Sequence, residues 1–292
     1  MFQPEKWISP ASVKQAVKFL GDHGKSALAY GGGTYIYEMA KRGQLDRVGV
    51  VVDLRGLKLA YVRNSRGKIR IGASTTMTAL EESNALNGPG LRALKRAAVM
   101  MGPRQVKNLA TVGGALSCGQ PMVDIGVPLL AMGTMVTIMG RSGAKRVDLW
   151  KVSGKSAASR LATGDLVVEL EVDGSGQNLV SCYKKLSRGA AHWPVAGVAI
   201  IVEKGPDGLC RRVGIATGGI SYGYSRHDEI GRQWVGKPLD RRAAEMISAA
   251  VSEEVRPQES LVLGSADYQR DMLKALTWEA VQEISLGEHG GM

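Results

Sequence analysis

The chain is poor in residues that build a self-contained reaction centre. It has only three cysteines, Cys118, Cys182 and Cys210, far apart and with no CxxC pair. Alone it therefore supplies neither a structural zinc site nor an iron–sulfur cluster. The four histidines, His23, His192, His227 and His289, are equally scattered. No Ser-His-Asp or Cys-His arrangement and no carboxylate pair emerges from the spacing. Aromatic residues make up 5%, and no run of five like charges occurs, so the stacking platform and basic tract of a nucleic-acid binder are missing. No run of 18 apolar residues exists, so no membrane-spanning helix is expected. Met1 to Lys6 lack the basic-then-apolar pattern of a signal peptide. The expected location is the cytoplasm, with peripheral attachment at a membrane left open.

Glycine, by contrast, is abundant at 38 of 292 residues. Two glycine-rich turns lie ~80 residues apart: Ala29-Tyr30-Gly31-Gly32-Gly33-Thr34-Tyr35-Ile36 and Thr111-Val112-Gly113-Gly114-Ala115-Leu116. Pro121 and Asp124 follow the second. Without a Cβ, glycine lets the backbone approach a bulky anion, and successive N–H groups in such turns form anion nests. Two such turns point to a diphosphate held between two segments, hence to a nucleotide cofactor. The first turn is neither a G-x-G-x-x-G fingerprint nor a P-loop, since no Gly-Lys-Ser/Thr follows. The net charge of +11 fits either an acidic partner or a solvated basic surface.

Ser12 with Gln15 reads as a capping box ahead of a helix whose Val13, Ala16, Val17 and Leu20 share a face. Ala27–Tyr30 is a short strand entering the triple glycine, Ile36 to Lys41 a helix, and Val48 to Asp53 a buried strand. Further strands are expected at 69–72, 136–139, 166–172, 179–186, 195–202 and 212–217. Helices are expected at 91–101, 124–132, 240–255 and 266–284, with Thr75-Thr76 capping a helix that runs to Ser83. Asp173-Gly174-Ser175-Gly176 is the preferred domain boundary, and 287–292 read as a frayed end. Asp124 could be either a helix cap or a ligand. On a strand, Lys184 and Lys185 point to opposite faces.

These features together resemble the FAD-binding medium subunit of molybdenum hydroxylases, a group that includes the medium subunit of carbon monoxide dehydrogenase and the flavin domain of xanthine dehydrogenase. The likeness rests on Ala29-Tyr30-Gly31-Gly32-Gly33-Thr34 and on Val52-Asp53-Leu54. Ile71-Gly72-Ala73-Ser74-Thr75-Thr76 and Val106-Lys107-Asn108-Leu109-Ala110-Thr111-Val112-Gly113-Gly114 extend it. Pro121 with Asp124 and Gly264-Ser265-Ala266-Asp267-Tyr268-Gln269-Arg270 complete it. Six segments in the family's order span nearly the whole chain.

The resemblance implies an α+β chain. A two-lobed FAD-binding region of the PCMH type (1–175, lobes about 1–55 and 56–175) would precede a smaller α/β C-terminal domain (176–292). Ala29, Tyr30, Gly31, Gly32, Gly33, Thr34, Tyr35 and Ile36 would wrap the FAD diphosphate through backbone N–H groups. Thr111, Gly113 and Gly114 would close the other side, with Thr76, Val106, Asn108 and Ala115 nearby. Asp124 would bond the ribose or diphosphate region. Leu166 and Val167 would lie beside the flavin ring, Lys184 or Lys185 would approach its polar edge, and Trp193 would pack over its face or sit in the core. Cys118 is close to the second turn, yet FAD is expected to be non-covalent.

Implied partners are a large subunit with molybdopterin cytosine dinucleotide and a small subunit with two [2Fe–2S] clusters, in a dimer of heterotrimers. NAD, a quinone, a carrier protein or dioxygen would be the electron acceptor. The chain departs from the family pattern at Ala115 (usually asparagine), Met77 (frequently histidine) and Gln269, which separates Tyr268 from Arg270. The alternatives are a stand-alone FAD-dependent dehydrogenase or oxidase and a basic module for nucleic acid or membrane surfaces.

Overall fold

A computed structural model describes residues 2–120, 124–153, 161–174, 176, 178–189, 192–220, 223–261 and 263–287. The expectations for Pro121, for Ser175 in the boundary segment and for 288–292 lie outside the described residues.

The first elements are β1 (Lys6–Ile8), α1 (Val13–His23), β2 (Ala27–Tyr30), α2 (Thr34–Lys41) and β3 (Val50–Asp53). The strands form a parallel sheet in the order β1-β3-β2, and Tyr30 pairs with Asp53 at its carboxyl edge. Ser12 caps α1 by accepting from the Gln15 amide at 3.2 Å. Gln15 does not close the expected box on Ser12; its Oε1 accepts from Ala11 N at 2.6 Å, one residue further back. Ala16, Val17, Leu20, Val50 and Val52 form a small core with Leu166 and Val168.

Next come β4 (Val62–Ser65), β5 (Lys68–Gly72), α3 (Met77–Glu81), α4 (Arg92–Met100), α5 (Arg104–Lys107), α6 (Val112–Ser117) and α7 (Gly126–Ala131). β6 (Met135–Gly140), β7 (Gly143–Asp148), α8 (Leu149–Ser153) and β8 (Leu166–Asp173) follow. Their antiparallel sheet has the order β4-β5-β8-β6-β7. Opposite Thr137 and Ile138 the register slips, so that Val168 has no partner on β6. Such a bulge reverses the phase of alternation. Leu166 and Val168 thus face the first core, while Val167, Leu170 and Val172 face the large central one.

β9 (Leu179–Ser187), β10 (Pro194–Lys204), β11 (Cys210–Gly218) and β12 (Ser225–Arg226) form an antiparallel sheet with neighbours in sequence order. α9 (Asp228–Gln233), α10 (Arg241–Glu254) and α11 (Ala266–Leu286) complete the described chain. Strand side chains alternate between faces. Val198, Ile200 and Val202 therefore join Ile247, Val251, Leu273 and Val281 in one core. Ala199 and Ile201 turn the other way, into the central core with Leu129 and Leu130. β10 is buried almost throughout because it is covered on both faces. No helix among the described residues is long and apolar enough to cross a membrane.

Candidate functional site

The two glycine-rich segments meet. A Cβ on Gly32 would lie 1.7 Å from the carbonyl oxygen of Leu109, and one on Gly31 would lie 3.1 Å from Thr111 Oγ1. Only a residue without a side chain allows the first segment to rest directly on the backbone of the second. Gly33 has φ +74° and precedes α2 as its N-cap, with the Tyr30 ring packed against it. Tyr30 is in turn held by Trp7, edge-on at 5.3 Å, and by the Arg55 guanidinium at 5.0 Å. Arg55 also binds Asp53 Oδ2 at 2.7 Å, and this hydrogen bond holds the Asp53 carboxyl below its ordinary range.

The two segments use their amides differently. Among the described residues, none of the main-chain N–H groups from Gly31 through Ile36 donates within the protein; the first donor of the new helix is Tyr37, to Gly33 O at 2.9 Å. Six consecutive half-buried donors at a strand-to-helix junction are an anion site in waiting. The second segment was expected to offer the same. Instead Val112 N donates to Thr75 O at 2.9 Å and Gly113 N to Ala73 O at 2.8 Å. Gly114 N donates to Thr111 Oγ1 at 3.2 Å. The expected turn is the first turn of α6, capped by Thr111. Gly113 is there for close packing, since a Cβ would fall 2.7 Å from Ala73 Cβ.

The surroundings hold the second segment in place. Thr76 pairs with Thr111 and caps α3 by accepting from Ala79 N at 3.2 Å. Asn108 accepts from the Thr78 hydroxyl at 2.7 Å. Lys107 is buried, bonding Glu81 at 2.6 Å and Val99 O at 3.2 Å. Val106 packs half-buried on the central core, as does Ala115, whose carbonyl accepts from Cys118 Sγ at 3.1 Å. Burial pushes the Cys118 thiol up.

Asp124 is not the cap of α7; that position is Ile125. Its carboxylate is 3% exposed and already engaged, by Tyr183 Oη at 2.7 Å and Lys185 Nζ at 3.0 Å. Burial pushes its carboxyl up against the pull of Lys185 and Tyr183. The strand separates the two lysines. Lys185, with a side chain 1% exposed, turns to Asp124 and to Met100 O at 3.1 Å, whereas Lys184 turns to Glu283 on α11 at 2.7 Å. Leu166 and Val167 are buried on opposite faces of β8, in separate cores. Trp193 is 49% exposed at the entry to β10, so it is not a core residue, and it makes no ring contact among the described residues. The structure thus gathers 29–36, Thr76, 106–115 and Gln120 at one edge. It gives Asp124 and Lys185 to each other and directs Lys184 elsewhere.

Sequence reading missed Lys107, Tyr183 and Gln120, whose partners are 26, 59 and 85 residues away. No local pattern announces such pairings.

A diphosphate fits the first edge on these grounds: open amides, an N-terminal helix turn, and a Gly32 that no Cβ-bearing residue could replace. The family "FAD binding domain in molybdopterin dehydrogenase" matches residues 1–172, and "CO dehydrogenase flavoprotein C-terminal domain" matches 181–284. The glyceraldehyde dehydrogenase medium chain of Sulfolobus acidocaldarius is 29% identical over 98% of this chain and 100% of its own length. The carbon monoxide dehydrogenase medium chain of Hydrogenophaga pseudoflava is 26% identical over 91% and 92% respectively. A solved carbon monoxide dehydrogenase structure from that organism superposes with a TM-score of 0.90, at 24% identity, over 98% of this chain and 99% of its own, and so shares the fold. The chain belongs to the family of FAD-binding medium subunits of molybdenum hydroxylases.

Proposed function

We propose that this chain is the flavin-bearing electron-transfer subunit of a molybdenum hydroxylase complex. It would receive electrons from [2Fe–2S] clusters of a small partner subunit and deliver them to an external acceptor. The observation that carries the reading is the row of six amides at Gly31–Ile36 that find no acceptor among the described residues, pressed against the second segment through Gly32. When bound, FAD supplies exchange between one-electron and two-electron carriers. The protein's own task is to bind and orient it. The amides of 31–36 hold the diphosphate, Thr111 and the α6 turn wall the opposite side, and Arg55, Tyr30 and Trp7 brace the first strand's end. The Asp124–Lys185–Tyr183 cluster ties the approach to α7 to β9.

The division into a FAD-binding region (1–175) and a C-terminal domain (176–292) is part of this proposal. It is supported by the change of sheet between β8 and β9. A cytoplasmic complex built as a dimer of heterotrimers, with a large molybdenum-cofactor subunit, completes the reading.

The test is native purification of the tagged full chain with its partners. Yellow protein that releases FAD on denaturation, accompanied by cluster-bearing and molybdenum-bearing chains, is expected. A yellow chain without partners favours a stand-alone flavoprotein. A folded, colourless chain that takes up no FAD overturns the proposal.

A further inference from the structure

Gly32 and Leu109 are not the only contact between the two segments. Tyr35, in the first turn of α2, accepts a hydrogen bond on its hydroxyl from Gln120 Nε2 at 2.6 Å. Gln120 lies just beyond α6, 85 residues along the chain. Its carbonyl oxygen accepts from the hydroxyl of Tyr224 at 3.4 Å. Tyr224 is 5% exposed and is clamped on the backbone of Gly126, where a Cβ would fall 2.3 Å from its hydroxyl oxygen. A single line of contacts thus runs from the free-amide turn, across the second segment, to the C-terminal sheet.

We infer that Tyr35 and Gln120 form a strap that fixes the first turn of α2, so that the six amides are aimed before the cofactor arrives. They are positioning residues. Without the bond, α2 would lose its side-chain tie to Gln120, and more of the ordering of the turn would be left to the bound cofactor. A site ordered in advance binds more tightly because less freedom is lost on binding. This inference rests on the proposed function above.

The test is FAD titration of the deflavinated full chain for wild type, Tyr35→Phe, Gln120→Met and the double variant, with hydrogen exchange at the α2 amides from Tyr37 onward. Each single substitution removes the same bond, so each should weaken FAD binding about threefold to tenfold. The double variant should be no weaker than the poorer single one, and exchange at the hydrogen-bonded α2 amides from Tyr37 onward in the FAD-free chain should quicken in all three. A merely structural role would lower the melting temperature without changing affinity or local exchange. Unchanged affinity in both singles, or additive losses in the double, overturns the strap while leaving the flavin assignment intact. Failure of wild type to bind FAD overturns both. Tyr35→Phe removes one oxygen atom, so the comparison survives even if Gln120→Met does not fold.

Discussion

Gly32 and Leu109 stand back to back, with 1.7 Å between a hypothetical Gly32 Cβ and the Leu109 carbonyl oxygen. Both sides are backbone, so neither can yield by changing rotamer. Gly32→Ala must push the two segments apart. FAD content per chain should fall at least about tenfold, with a stability loss of about 1–3 kcal/mol. Flavin absorbance and urea denaturation measure the two effects. Gly56→Ala, which meets nothing within 4 Å, is the matched control and should change neither.

Lys185→Met removes the cation from a buried carboxylate. Breaking such a pair from one side costs about 3–5 kcal/mol. Lys184→Met, in a partly exposed pair with Glu283, should cost no more than about 1 kcal/mol. Asp124→Asn combined with Lys185→Met should recover much of the single loss. The sign with pH follows from burial, which already pushes the Asp124 carboxyl up. A carboxyl raised in the fold contributes stability below its unfolded pKa and loses it as pH rises through the folded one. The Lys185→Met deficit should therefore shrink on acidification, as read from denaturation at successive pH values.

Asp53 behaves in the opposite sense. Its carboxyl is lowered, chiefly by the hydrogen bond from Arg55. The pair supports the fold above the ordinary carboxylate pKa of about 4 and is lost as pH falls through the lowered value. Arg55→Met should flatten the acid limb of the stability profile below about pH 4, by lowering stability at neutral pH, where the pair contributes, and leaving stability at acid pH nearly unchanged. An unaltered acid limb would show that Arg55 does not act on Asp53.

The thiols should be sluggish. Burial pushes Cys182 up to about 12 and raises Cys118 and Cys210. Thiolate is the reactive form, so alkylation of the native chain at pH near 8 should be slow, with half-buried Cys118 modified first. The same protonated thiol is a poor candidate for covalent flavin attachment. Acid precipitation should leave colour in the supernatant; a coloured pellet would contradict this.

Much of the fold is written locally. Helix α1 announces itself through Ser12 and the spacing of Ala16, Val17 and Leu20, and β10 through an unbroken apolar run. Gly31, Gly32 and Gly33 mark the first edge by exceeding what a turn needs. The second edge misleads, because Gly113-Gly114 reads as a turn when nothing in the sequence shows Ala73 and Thr75 waiting for its amides. β7 is hidden because its residues are mostly exposed and polar, such as Lys145 and Arg146. Asp124 reads as a cap or a ligand because its true partners, Tyr183 and Lys185, lie on β9, 59 and 61 residues along the chain. Local chemistry is legible; pairings across the chain depend on topology that no short window contains.

The position of β8 sets an order of events during synthesis. It is the last strand of its sheet to leave the ribosome, yet it lies at the centre, between β5 and β6. It also contributes Leu166 and Val168 to the first lobe's core. A nascent chain halted before Leu166 therefore holds β4–β5 and β6–β7 as two separate hairpins, with the edges that β8 joins left open. The sheet is completed only by this one strand, and a chaperone guarding the unfinished chain would have to hold it until β8 emerges.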